Sequence, residues 1–275
     1  MYAFKSSWQI KIRRRWRRIT VKVTLEKASE IDSERLAEMS KRAFDTDVDF
    51  GAPGNIRPPG YDSPAFYTRI LRFLDSYCIM RDEEVAGGIM AKVVGTHGVL
   101  ERIFVDPSLM RGGIGSEAMR LVEEAYPDVS LWSLGTPEWN TRTPLFYGKL
   151  GYTQVGWEHS EPDNRGRWYD KRIREEDPFI PIGNLRNGAS NVLTEGRITE
   201  KGMPRMVRNK KTREALTVAN AALEDDSGRI VMTLWGNHID LLKVGVRIRV
   251  DGGYTNSYSG ILQLNVGYGR LITLL

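Results

Sequence analysis

The chain changes its pattern once, at Asp177-Pro178-Phe179-Ile180-Pro181-Ile182-Gly183, and no other feature constrains its fold so much. Two prolines and a glycine between patterned segments read as a linker. Before the break, alternating apolar runs take turns with segments of helical spacing, which points to an α/β arrangement. After it no convincing long helix occurs. β-rich segments near 190–199, 214–223, 229–235, 246–255 and 261–273 predict a small barrel or sandwich. The 275 residues thus divide into an arm (1–18), an α/β domain (19–176), a linker (177–189) and an all-β domain (190–275).

Composition narrows the class. At 41% hydrophobic and 27% charged residues, wholesale disorder is excluded. No apolar run reaches the roughly 18 residues of a membrane-spanning helix. One cysteine, Cys78, excludes an internal disulfide framework and suggests a reducing cytoplasm. His97, His159 and His238 lie far apart and no paired-cysteine motif occurs, so no metal is expected. The net charge of +5 is uneven: residues 1–18 hold seven Lys/Arg and no acid, 181–275 carry +5, and 19–180 carry −7. The basic ends, not the acidic body, are expected to face a polyanion. Lys11, Arg13, Arg14, Arg15, Arg17 and Arg18 surround Trp16 without the apolar region of a secretory signal. That stretch reads as a nucleic-acid-binding arm, a solvated tail, or an extension ahead of the true start codon.

From Ile19 to Leu25 apolar and polar residues alternate as in a strand. Ser29 or Asp32 can cap a helix running to Phe44, with Leu36, Met39 and Ala43 on one face. Ser63-Pro64 reads as an N-cap and first position of a helix over 64–75. Strands are predicted near 77–81, 85–94, 98–105, 129–134, 152–159 and 167–173, and helices over 114–125 and 142–150.

Phe104-Val105-Asp106-Pro107-Ser108-Leu109-Met110-Arg111-Gly112-Gly113-Ile114-Gly115-Ser116 joins a strand to a helix. Glycines there let several N–H groups converge in front of a helix N-terminus, an anion site suited to a pyrophosphate, to which Arg111 can add charge. This loop, the element order, and Asn140-Thr141-Arg142-Thr143-Pro144-Leu145-Phe146-Tyr147-Gly148-Lys149-Leu150-Gly151-Tyr152 together resemble the GNAT superfamily of N-acetyltransferases over residues 19–175. The family's Gln/Arg-x-x-Gly-x-Gly/Ala loop matches at Gly113-Ile114-Gly115, with Met110 at its first position.

The resemblance implies a mixed central sheet with flanking helices and acetyl-CoA as co-substrate. The pyrophosphate would sit over Arg111, Gly112, Gly113, Gly115 and Ser116. The pantetheine arm would pair with the backbone of Ile103, Phe104 and Val105, with Asn140 beside it and Tyr147 near the thioester sulfur. A neutral amine then attacks the thioester directly. The Val105 N–H would face the oxyanion, and Tyr147 would protonate the leaving thiolate; the other reading of Tyr147 is a core tyrosine. Glu101 is the candidate base by position, or else a solvated strand carboxylate; Glu138, Asp62 and His159 are further options. The loop 45–63 and hairpin 159–167 should shape the acceptor site, with Arg57, Tyr61 and Asp62 as candidate contacts.

In the last third, Glu224-Asp225-Asp226-Ser227-Gly228-Arg229 leads to Val231-Met232-Thr233-Leu234-Trp235-Gly236, and Tyr254-Thr255-Asn256-Ser257-Tyr258 precedes Gly260-Ile261-Leu262-Gln263-Leu264. This is similar to the five-stranded OB-fold of archaeal single-stranded-DNA-binding proteins over nearly all of 184–275. Tyr254 and Tyr258 are an even number of positions apart, so one strand can show both on one face. With Trp235 they would make a stacking platform for bases. The loop 200–213 carries Lys201, Arg205, Arg208, Lys210, Lys211 and Arg213, able to follow phosphates. Core aromatics and a solvated basic loop are the bland alternatives.

The expected protein is an archaeal, cytoplasmic, acetyl-CoA-dependent N-acetyltransferase, with a homodimer as one option for its assembly, tethered to single-stranded DNA or RNA through its OB module. Its acceptor would be an amine of a protein, a nucleobase or a small molecule. The rivals are a small-molecule acetyltransferase with an accessory OB module, and a non-catalytic acetyl-CoA sensor that binds nucleic acid.

Overall fold

The computed structural model describes residues 22–54, 56–161, 164–208, 213–267 and 271–275. The basic arm, Lys210 and Lys211 lie outside the described residues, as does the side chain of His159. The elements run β1 (Val23–Lys27), α1 (Ser33–Asp45), α2 (Pro64–Ile70), β2 (Asp75–Arg81), β3 (Glu84–Val94), β4 (His97–Val105), α3 (Ile114–Ala125), β5 (Leu131–Pro137), α4 (Thr143–Lys149), β6 (Thr153–Glu161) and β7 (Asn164–Arg172). They continue β8 (Val192–Lys201), β9 (Arg205–Arg208), β10 (Ala215–Asp225), β11 (Gly228–Trp235), α5 (His238–Leu241), β12 (Arg247–Tyr258), β13 (Ile261–Asn265) and β14 (Leu271–Leu274).

Local chemistry sets most of these bounds. The Asp32 carboxylate accepts the Ser29 N–H at 2.8 Å ahead of α1. Ser63 Oγ accepts the Phe66 N–H at the head of α2, with Pro64 at the first position. The helix expected over 64–75 stops at Ile70, because Asp75–Arg81 is drawn into the sheet by β1 on one side and β3 on the other.

Strands β1-β2-β3-β4-β5-β7-β6 form a mixed sheet in which only β4 and β5 are parallel. One face buries Ile79, Ile89, Leu100, Trp132 and Leu134 under α3 and Tyr147 of α4. The other buries Met80, Met90 and Phe104 under Leu36 and Met39 of α1 and Tyr67 of α2. In the last third, β8, β10, β11, β13 and β12 pair in turn and β12 returns to β8, a closed five-stranded barrel. Val192, Ile198, Leu223, Met232, Leu234, Ile248 and Leu264 fill it. The strand expected over 261–273 is two strands. β13 closes the ring, and β14 leaves it. Part of the basic loop is itself a strand, β9, on the edge of β10.

The barrel is not a free appendage. Its C-terminal strand β14 continues the first sheet, Thr273 opposite Glu158 and Leu274 opposite Trp157 on β6. The segment expected to link the domains is fastened too: Ile182 and Leu185 enter the barrel core, and the Ile180 N–H donates to Leu193 O at 2.8 Å. Across the junction Arg249, 3% exposed, donates to Asp170 at 2.9 and 2.7 Å and to Glu195 at 2.9 and 2.7 Å. Asp170 also accepts from Ser133 Oγ at 2.7 Å, and Ser133 bonds His97 Nε2 at 2.9 Å.

Candidate functional site

The site opens where β4 and β5 part. Their pairing runs from His97↔Leu131 to Leu100↔Leu134 and goes no further. The next residue, Glu101, is the extra residue of a β-bulge: Met90 pairs Arg102 and Ala91 pairs Leu100. A bulge re-aims side chains and bends its strand, here at the fork. Beyond it the backbone alternates. The Asp106 N–H donates to Ala86 O on β3, and the Phe104 carbonyl faces Gly87 so closely that a Cβ there would meet it at 2.1 Å. The N–H and C=O groups of Ile103 and Val105 therefore point to the opposite, open edge. Of the three residues expected to offer backbone there, Phe104 is the correction: its polar groups face β3 and its ring lies in the α1–α2 core.

The open edge leads into the glycine turn. Arg111 and Gly113 hold positive φ of 65° and 82°, which turns the chain into the N-terminus of α3. Arg111, Gly112 and Gly113 are exposed, and Gly115 and Ser116 lie in the first helical turn. Asp106 braces the entry: it accepts from Ser108 N–H at 3.0 Å and from Arg42 at 2.6 Å. Met110 packs against the α1–α2 core, and its sulfur lies 3.7 Å from Arg142 Nη1.

Tyr147 is 7% exposed, in the core cluster that Ile103 and Val105 of β4 pack against. Its ring centroid lies 5.0 Å from that of Phe146, 5.9 Å from Tyr152 and 6.1 Å from Tyr169. Burial pushes its hydroxyl well above the usual tyrosine range, only partly offset by Arg142, so it stays protonated. Asn140 serves the helix that carries it: its Oδ1 accepts the N–H of Arg142 and of Thr143, at 3.1 and 3.3 Å, ahead of α4. Tyr152 donates to Glu123 at 3.0 Å, which Lys171 also holds at 2.6 Å.

One residue at the fork has no sequence signal. Glu158 on β6 puts its Oε2 3.5 Å from where a side chain at Gly135 would begin and 3.6 Å from the same point at Gly166. Gly135 is the first β5 residue past the paired stretch. Burial, and then the like charge of Glu101, raise its carboxyl above the usual range. Glu138 is instead half-exposed, 3.7 Å from Arg165.

The loop over 45–63 forms the facing wall. Arg102 fixes it to β4, donating to Pro59 O at 2.9 Å and to Tyr67 Oη at 3.1 Å. Arg57 donates to Ile56 O at 2.8 Å, and Tyr61 donates to Asp45 at 3.2 Å, so both brace the loop itself. Asp62 is exposed. Phe50 O accepts from the Thr141 N–H at 3.0 Å, which ties this wall to the loop before α4.

On the barrel, register puts the three candidate rings on one outward face. Thr233, Asn265 and Tyr254 lie opposite one another in a row across β11, β13 and β12. Trp235 stands two residues beyond Thr233, and Tyr258 four beyond Tyr254, opposite Ile261. Trp235, Tyr254 and Tyr258 are 40%, 44% and 69% exposed. Arg205, Val218 and Trp235 share one row. Arg208 is exposed at the far end of β9. Lys201 is otherwise committed: its ammonium donates to Ile239 O and Leu242 O at the end of α5.

Among the described residues no helix is long and apolar enough to cross a membrane, and no group of three or more His, Cys, Asp or Glu could hold a metal ion. Residues 47–152 match the Acetyltransferase (GNAT) family, and residues 184–272 match the family "Single-stranded DNA binding protein Ssb-like, OB fold". A single-stranded DNA binding protein, Ssb, of Saccharolobus solfataricus is 30% identical over 86 residues, 31% of this chain and 57% of that protein. An uncharacterized protein, YrkN, of Bacillus subtilis is 32% identical over 112 residues, 38% of this chain and 60% of that protein. The chain thus spans less than two thirds of the length of these curated relatives. The PaiA N-acetyltransferase of Thermoplasma acidophilum, solved with coenzyme A, aligns with 15% identity and a TM-score of 0.46 over 55% of this chain and 99% of that one. The chain carries a GNAT-family domain joined to an Ssb-like OB domain.

Proposed function

We propose that the chain transfers an acetyl group from acetyl-CoA to an amine, and that its OB domain brings single-stranded nucleic acid, or a protein bound to it, to the same molecule. The observation that carries the first half is the open edge of β4 beyond Leu100, running from Glu101 to the glycine turn at the head of α3. The N–H groups of that turn and Arg111 suit a pyrophosphate, and Ile103 and Val105 offer a free backbone edge to an amide-bearing arm. The Val105 N–H is a fixed dipole beside a carbonyl held on that edge, and stabilises the oxyanion formed on attack. Tyr147, protonated and buried in the cluster that Ile103 and Val105 pack against, gives the leaving sulfur its proton.

The second half rests on Trp235, Tyr254 and Tyr258 exposed on one face, with Arg205 in the row of Trp235. A docked barrel also favours a second reading, an acetyltransferase of small amines in which the OB domain is structural. Labelled acetyl-CoA incubated with the full chain and a desalted lysate separates the two. Label in protein or nucleic acid, reduced when Trp235→Ala and Tyr254→Ala are combined, supports delivery by the barrel. Label confined to small molecules supports the second reading. Point variants replace deletion of the barrel, because deletion would strip β14 from β6. The double variant should weaken binding of a single-stranded oligonucleotide by about 1–3 kcal/mol per ring lost; unchanged affinity would refute the platform.

A further inference from the structure

We propose that Glu158, acting with Glu101, takes the proton from the attacking amine, and that the C-terminal strand of the OB domain holds it in place. This rests on the acetyl-transfer reading above and adds to it a residue and a dependence between domains.

Place comes first. Glu158 sits on β6 between Gly166 of β7 and Thr273 of β14. Two glycines, Gly135 and Gly166, lie under its carboxylate, so the side chain stands over the sheet at the mouth where β4 leaves β5. Glu101, the bulge residue of β4, lies at the same mouth, where β4 leaves β5, and its charge bears on Glu158.

Partners come second. No described residue gives Glu158 a hydrogen bond or an ion pair, and it is half-buried. The strands around it present Gly135, Gly166 and Thr273, none of them charged. Among the described residues, Glu101 bears on it as a like charge. A carboxylate in a cleft to which no described residue brings a cation is poised for one, and the like charge of Glu101 adds to that pull. A primary ammonium supplies that cation.

The protons balance as follows. The ammonium gives one proton to the Glu158 carboxylate and becomes a neutral amine. Its lone pair attacks the thioester carbon; the C–N bond forms and the C–S bond then breaks. The sulfur takes the Tyr147 proton, and the second proton lost from nitrogen restores Tyr147. Glu158 releases its own proton to water. Products are the amide, free thiol and one proton.

Strand β14 fixes the geometry. At Gly156, two residues before Glu158, an added Cβ would meet Leu274 O at 2.1 Å, so the strands approach as closely as glycine allows. The far edge of β6 is thus set by the barrel, and Glu158 is a carboxylate whose backbone two domains hold.

The test uses the full chain, labelled acetyl-CoA, and three amine probes: spermidine, a lysine-bearing peptide and a peptide with a free N-terminus. Glu158→Gln should lower kcat/KM for the fastest probe about 100-fold at pH 7, with coenzyme A affinity unchanged. Near pH 10, where an alkyl amine is largely neutral in solution, the gap should close to a few-fold. An undiminished rate in Glu158→Gln, or a gap that persists to pH 10, overturns the inference alone. Wild-type chain that acetylates none of the probes overturns the acetyl-transfer reading and this inference with it. Should the variant misfold, carbon-13 NMR of glutamate carboxyls in the wild type decides. Glu158 should titrate above the usual range and shift down in Glu101→Gln; ordinary titration in both overturns the inference.

Discussion

Tyr147 combines two demands on a single side chain. Its ring is core, packed among Phe146, Tyr152 and Tyr169, while its hydroxyl is the proposed acid. The same burial serves both, since desolvation disfavours the phenolate and keeps the proton available for a thiolate. Tyr147→Phe keeps the ring and removes only the proton. It should lower kcat about 100-fold while Kd for coenzyme A and Tm stay close to wild type. A variant with unchanged kcat across the pH range would reduce Tyr147 to a core residue. Met110 makes a related point about substitution within a motif. Where the family loop has Gln or Arg, this chain has a thioether packed on the α1–α2 core with Arg142 against its sulfur.

At the level of elements, the bulge in β4 and the glycine at Gly156 do comparable work. One lies where a strand edge opens, and the other lets a strand from the barrel approach β6. Gly156→Val should unseat β14, since its side chain would collide with the Leu274 carbonyl. The expected outcome is a lower Tm and lower kcat, with oligonucleotide affinity retained because the ring-bearing strands β11 and β12 belong to the closed barrel. Equal Tm in wild type and variant would show that the strand pairing contributes little. How much of this was legible in the sequence depended on range. The turn at Arg111-Gly112-Gly113 could be read because its cause is local, a glycine at a helix start. The alternation of Tyr254 and Tyr258 was legible for the same reason. Glu158 was not, because its meaning comes from Gly135, Gly166 and Glu101, which only the sheet brings together. Arg249 gave no signal in the sequence; it is buried because Asp170 and Glu195 meet it from two other strands. The end of the helix after Ile70 was missed because pairing with β1 and β3 outweighs local propensity.

For the molecule as a whole, the decisive feature is that the two domains share a sheet and a buried polar chain. Removing one partner of a buried ion pair strands the other's charge. The chain from Glu195 through Arg249, Asp170 and Ser133 to His97 is therefore where the two domains should melt together. His97 makes that junction sensitive to acid. It is 6% exposed, and burial lowers its pKa from the usual value, with Arg249 and Lys92 acting the same way and Asp251 and Asp170 opposing. The unfolded chain thus binds a proton as pH falls below about 6.5, while the folded chain resists it down to its depressed value. Stability contributed by neutral His97 is complete above about pH 6.5 and is lost as pH falls through the folded pKa. Wild-type Tm should accordingly drop between pH 7 and pH 5 more steeply than that of His97→Gln, which keeps a polar group toward Ser133 and cannot titrate. Calorimetry across that range measures both slopes. Parallel slopes would mean that the junction's acid sensitivity lies in its carboxylates, and would remove His97 from the account of how the barrel is held against the sheet.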